Sequence, residues 1–174
     1  MTPYAQAIWS GLEFRKTMML RNVEPLDEQQ MRWLPGPQRK PIAWQLWHIA
    51  EVEDKWVRSI VTDEPLRFPF DVQVRAAGED DYPTKRQLLD YLHEVREISK
   101  GRLASAGESE FARQVEDPDF GMCTVLDIWA GVVTSFAWHS GQIALTAKLL
   151  PDTPVTTMKF DYWKAKKWDH PPSG

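Results

Sequence analysis

The stretch Trp44-Gln-Leu-Trp-His48-Ile-Ala-Glu51-Val-Glu-Asp-Lys-Trp56 lies inside a run, residues 42 to 63, that holds neither proline nor glycine. Ile42, Leu46, Ile49, Trp56, Val57 and Ile60 recur in it at helical spacing, which predicts an amphipathic helix with His48 midway. A second segment answers it, Trp138-His139-Ser-Gly-Gln142-Ile. The neighbours of His139 at steps of three, four and seven are Val132, Ser135, Phe136, Gln142, Ile143 and Thr146, so this histidine is expected on a mostly apolar or small face, pointing inward. Two histidines from different helices directed at one core are the start of a metal site in a helix bundle. The alternative is a pair of core histidines, each hydrogen-bonded to a neighbour.

With 174 residues the chain is expected to form one domain over 1–174, large enough to bury a core without disulfides. Hydrophobic residues at 43% and charged residues at 26% are ordinary for a soluble globular protein. Nine tryptophans are not ordinary, and they imply either a bulky core or an aromatic-lined pocket. A net charge of -4, with no basic run longer than the patch Lys164 to Lys167, argues against nucleic-acid binding. The opening Met1-Thr-Pro-Tyr-Ala-Gln is unlike a signal peptide and no apolar run is long enough to span a membrane, so a cytoplasmic location without membrane association is expected. The single cysteine, Cys123, has no internal disulfide partner. It lies near a helix start with no histidine adjacent in sequence, so it is not expected to be a nucleophile.

Four long helices are predicted, at about residues 3–21, 41–63, 84–105 and 124–150. Pro41 suits the first turn of the second, because its missing amide hydrogen would be unpaired there anyway. Thr84 with Gln87, and Thr124 with Asp127, read as capping boxes opening the third and fourth. Asp27 is a plausible cap for a short helical turn ahead of Trp33. Leu34 to Gln38, residues 64 to 83 and Gly107 to Gly121 are read as loops from their proline, glycine and aspartate content. His93, among Asp90, Glu94 and Glu97, is read as solvated. The aromatic residues Phe160, Tyr162, Trp163 and Trp168 suggest a tail that packs back onto the body, with His170 beside two prolines near its end. The fold class is therefore all-α, a helix bundle.

Trp33-Leu-Pro-Gly-Pro, then Ile42-Ala-Trp-Gln-Leu-Trp-His48-Ile-Ala-Glu-Val-Glu53, and later His139-Ser-Gly-Gln142-Ile, resemble the DinB/YfiT family of bacterial helical-bundle proteins over about residues 5 to 150. The resemblance implies a four-helix bundle in up-down-down-up order, often dimeric, so a homodimer is expected. It also implies a divalent metal, zinc or nickel in many members, held by three histidines. Members of known activity are mostly transferases or isomerases that use low-molecular-weight thiols. His48 matches the ligand on the second helix, and His139 matches the second member of a fourth-helix His-x-x-x-His pair. The first member of that pair falls at Ser135.

A serine hydroxyl is a weak substitute for imidazole, and catalytic zinc sites usually carry three protein ligands and an open position. Glu51, one turn after His48, is the candidate third ligand or base, Gln142 a candidate orienting group, and Asp54 and Asp127 are further carboxylates. Two functions stay open. One is a metal-dependent, thiol-using transferase with a small-molecule substrate; the other is a metal-free binding or structural protein that keeps the fold.

Overall fold

The computed structural model describes residues 1–37 and 39–151. Its elements are α1 (Pro3–Val23), α2 (Glu28–Arg32), α3 (Ile42–Asp54), which continues as a π-helical segment (Lys55–Val61), α4 (Lys85–Ser105), α5 (Glu108–Phe111), β1 (Gln114–Asp117), β2 (Gly121–Thr124) and α6 (Val125–Leu149). The tail and His170 lie outside the described residues.

The helix starts are written locally. Thr2 accepts from Ala5 N–H ahead of Pro3. Asp27 and Gln30 form a reciprocal capping box on α2. Thr84 with Gln87, and Thr124 with Asp127, do the same for α4 and α6, each satisfying two amide groups that the first turn leaves unpaired. α1 stops ahead of Pro25: Glu24 keeps helical dihedrals and still donates to the Leu20 carbonyl, but Pro25 has no N–H to carry the ladder further.

Two differences from the sequence reading stand out. The second long helix does not stay α-helical to residue 63; its last seven residues widen into π geometry before Asp63 turns the chain with φ of 54°. Residues 107 to 121 are not simply a loop. They hold α5 and one arm of an antiparallel hairpin in which Gln114 pairs with Thr124 and Asp117 with Gly121. Asp117 closes its three-residue turn by accepting from the N–H groups of Asp119 and Phe120, and Gly121 leaves it with φ of 77°. Strands of four residues are too short to show alternation in sequence.

α1, α3, α4 and α6 make the bundle, with α6 and α4 each packed against both α1 and α3. Their directions follow from which residues meet. Asp54 meets Tyr91 near the start of α4, and Glu64, bonded to Arg58 of the following π segment, meets Arg102 near its end, so α3 and α4 run parallel. The Leu12 carbonyl meets Arg96, and those of Glu24 and Leu26 meet Lys85, so α1 runs against α4. His48 meets His139 and Trp56 meets Gly131, so α6 runs against α3. The order is up, down, down, up. Among the described residues no helix is long and apolar enough to cross a membrane.

Leu12, Met19, Leu46, Trp47, Leu88, Leu92, Trp129 and Phe136 fill the core. One charged pair runs through it. Arg96, fully buried, donates to Glu53 at 3.4 Å and to the Leu12 carbonyl at 3.1 Å, and its guanidinium lies 4.5 Å from the Phe136 ring centre. Ser99 donates to the same Glu53 oxygen at 2.6 Å. Burial pushes the Glu53 carboxyl above its ordinary range against the pull of Arg96 and Ser99.

Candidate functional site

Steps of four and three place Trp44, His48 and Glu51 along one face of α3. His48 meets His139 of α6 edge to face, ring centres 4.7 Å apart and planes at 75°. Trp44 stacks on His48 at 4.7 Å and 15°, and lies tilted against His139 at 6.3 Å. His48 is 9% exposed and His139 half-buried. Among the described residues, the Nδ1 atoms of both rings are buried without a hydrogen-bond partner. Burial, then the neighbouring His139, then the charge of Arg75 lower His48 to about 4. Burial also lowers His139, opposed by the Gln142 side chain. Both rings are thus neutral at pH 7.

The connection between the π segment and α4 crosses this face. Val74, fully buried, donates its N–H to the Glu51 carboxylate at 3.0 and 3.3 Å, and its carbonyl accepts from Trp44 Nε1 at 2.9 Å. One residue of the connection is thus held through both backbone groups by the two residues that flank His48. Arg75 follows it, with its charge acting on His48 and Glu51 alike. Ahead of α3, the Lys40 ammonium stands 5.2 Å from the Trp44 ring centre.

The residues expected from sequence distribute as follows. His48 and His139 come together. Glu51 is engaged with Val74 N–H, and burial raises its carboxyl against that bond. Ser135 is half-buried one turn before His139, and Gln142, exposed, lies one turn after it. Asp54 is elsewhere, buried and accepting from Tyr91, Arg58 and Arg67. Asp127 caps α6. Cys123 lies on β2, where desolvation and the Asp117 and Asp127 carboxylates push its thiol up, away from nucleophilic character. His93 is exposed.

A cavity of about 150 Å³ has Glu51, Asp54, Arg58, Arg67 and Gln73 in its wall, but neither histidine. Sequence reasoning missed Trp44, Val74, Arg75 and Lys40. The spacing of Trp44 to His48 was a usable signal for the first; nothing local in sequence points a connection residue at a helix thirty positions earlier.

Two neutral imidazoles with unpaired buried nitrogens are suitable donors for a divalent metal, since ligating histidine must be unprotonated. In number they fall short of the usual three. Among the described residues no three histidine, cysteine, aspartate or glutamate side chains gather as a ligand set.

A crystal structure of a conserved protein from Enterococcus faecalis superposes on this chain with a TM-score of 0.69 at 16% identity, covering 83% of this chain and 95% of that one. At that identity the likeness concerns the fold. No curated protein matches the chain in sequence. The family model described as the DinB superfamily matches residues 12–147, which span all four bundle helices and both histidines. The chain belongs to the DinB superfamily.

Proposed function

We propose that this chain binds a divalent metal ion, zinc or nickel, on His48 and His139, and presents the ion's remaining positions to a small-molecule ligand, a low-molecular-weight thiol in a transferase-type reaction. The observation that carries this reading is the pairing of two imidazoles from antiparallel helices, each with a buried Nδ1 that has no hydrogen-bond partner among the described residues. An unpaired buried acceptor costs free energy, about 1–3 kcal/mol, unless something binds it. A bound ion supplies a lowered pKa to a coordinated thiol or water. The chain's own contribution is positional: Trp44 holds the His48 ring by stacking, Gln142 bears on His139, and Val74 covers the intervening face of α3.

The competing reading is a metal-free binding protein that keeps the fold. It is supported by the two-donor set and by Ser135 in the place of a third imidazole. Metal analysis and zinc or nickel titration of untagged protein separate the two. Binding near one equivalent, abolished in both His48→Ala and His139→Ala while each variant stays folded, is the expected result. A folded wild type that takes up neither ion leaves only the metal-free reading. The homodimer remains part of the proposal, with the exposed Trp138, Leu145 and Leu149 of α6 as apolar surface for a second copy to cover; light scattering tests it.

A further inference from the structure

We infer that the segment from Asp71 to Gly78 is a strap that closes the way to the His48–His139 pair, and that the Trp44 indole and the Glu51 carboxylate are the latches holding it shut. This rests on the reading that the pair binds a small-molecule ligand, and it adds how such a ligand gains entry.

The strap's place follows from the helix beneath it. Trp44 and Glu51 stand seven residues apart, about 10 Å along the axis of α3. Both reach the same residue: Trp44 Nε1 donates to the Val74 carbonyl at 2.9 Å, and the Glu51 carboxylate accepts from the Val74 N–H at 3.0 Å. The N–H and the carbonyl of one residue are close together. The two side chains therefore converge on Val74 from either side, which sets it at the level of His48 between them. Beneath it His48 is buried, and the Nδ1 atoms of His48 and His139 are shut off from solvent. A metal ion or ligand that reaches those nitrogens has to displace something.

The strap is what can move. α3 and α6, which carry the rings, are held by their own backbone ladders. Among the described residues, the hydrogen bonds that join residues 71–78 to the helices are those of Val74 alone. Ala76 and Ala77 donate within the strap, to the Gln73 carbonyl. Its ends are pinned. Just before it Phe70 stands edge-on to the rings of Trp47 and Tyr91, centres 5.3 and 5.6 Å away, and just after it Arg32 donates to the carbonyls of Glu79 and Tyr82. Asp71 leaves Phe70 with φ of 62°, a left-handed conformation uncommon outside glycine. Glu51 and Gln73 both border the cavity of about 150 Å³, so there is space beside the latch. A segment pinned at two ends and held between them by one residue opens locally, without unfolding the bundle. Burial of the Val74 side chain keeps the closed form dominant.

The test uses the full chain without metal. Diethyl pyrocarbonate acylates accessible neutral imidazoles, and mass spectrometry reads its rate at each histidine, with the exposed His93 as internal reference. Hydrogen exchange reports the strap amides. In wild type His48 should react at least about tenfold more slowly than His93. Glu51→Ala removes one latch and should speed acylation of His48 about tenfold, as loss of one hydrogen bond implies, with faster exchange confined to residues 71–78. Glu51→Gln keeps an oxygen for the Val74 N–H and should stay near the wild-type rate. Trp44→Phe keeps an aromatic plane on His48 but loses the N–H, and should act like Glu51→Ala. A wild-type His48 that reacts as fast as His93, or a rate that Glu51→Ala leaves unchanged, overturns the inference. So does an acceleration shared by faster exchange throughout α4, which reports unfolding of the bundle.

Zinc titration and zinc association rates on the same samples keep the two ideas apart. Latch-dependent access to His48 in a protein that takes up neither zinc nor nickel sinks the metal reading and leaves the strap standing. Zinc uptake that is no faster in Glu51→Ala and Trp44→Phe than in wild type sinks the strap alone.

Discussion

Trp56 closes on Gly131 so tightly that a methyl group at position 131 would lie 2.9 Å from ring carbon Cζ3 and 3.2 Å from Cη2. Trp56 stands eight residues after His48, and Gly131 eight before His139, on helices that run in opposite directions. The close approach at one level therefore helps set the separation of the two imidazoles at the other. Gly131→Ala gains up to about 1 kcal/mol of helix propensity. It also overpacks against a rigid indole, a cost of about 1–3 kcal/mol. The net should be destabilising, read by chemical denaturation, and accompanied by weaker metal or ligand binding. In a Trp56→Leu background the same substitution should be neutral or stabilising.

Metal-free protein should lose stability on mild acidification because of His48. Its folded value of about 4 lies below the ordinary imidazole value of 6.5, so between those values the unfolded chain binds the proton and the native chain does not. Stability from this group is complete above pH 6.5 and falls as pH drops toward 4. Denaturant midpoints measured from pH 7 to pH 4 should decline, and the decline should be shallower in His48→Gln. Parallel curves for the two proteins contradict this.

The Glu53–Arg96 pair should be costly to break from one side. Arg96→Met strands a carboxylate that is 1% exposed, and loss of one partner of a buried ion pair costs about 3–5 kcal/mol. Adding Glu53→Met removes the stranded charge and should recover most of that loss. A double variant no more stable than Arg96→Met would show that the pair is not the source of the effect.

Glu51 should act on the connection that carries Arg75. Glu51→Gln keeps an oxygen that can accept from Val74 N–H, so the melting temperature and zinc uptake should change little. Glu51→Ala leaves a buried amide unpaired, a cost of about 1–3 kcal/mol, and should raise proteolytic susceptibility near Val74. Loss of zinc in Glu51→Gln with stability unchanged would instead make Glu51 a ligand.

Ser135→His should add a third imidazole one turn before His139. Zinc or nickel affinity should rise at least about tenfold by titration calorimetry, roughly 1.4 kcal/mol. No gain means that the Ser135 side chain does not face the pair.

The all-α class, the four long helices and their capped starts were determined by sequence alone, because they depend on local terms: apolar spacing around Ile42, Leu46 and Ile49, hydroxyl caps at Thr84 and Thr124, and prolines at the boundaries. The inward direction of His48 and His139 was legible for the same reason, since a helix fixes which residues share a face. The hairpin was not, because its strands offer too few alternating positions and their pairing is made across the turn at Asp117. Only the tertiary structure turned Glu51 to Val74 and stacked Trp44 on His48. Such relations arise when a connection with no periodicity of its own is drawn across a helix face by two backbone hydrogen bonds, and no spacing within the chain encodes where that crossing falls.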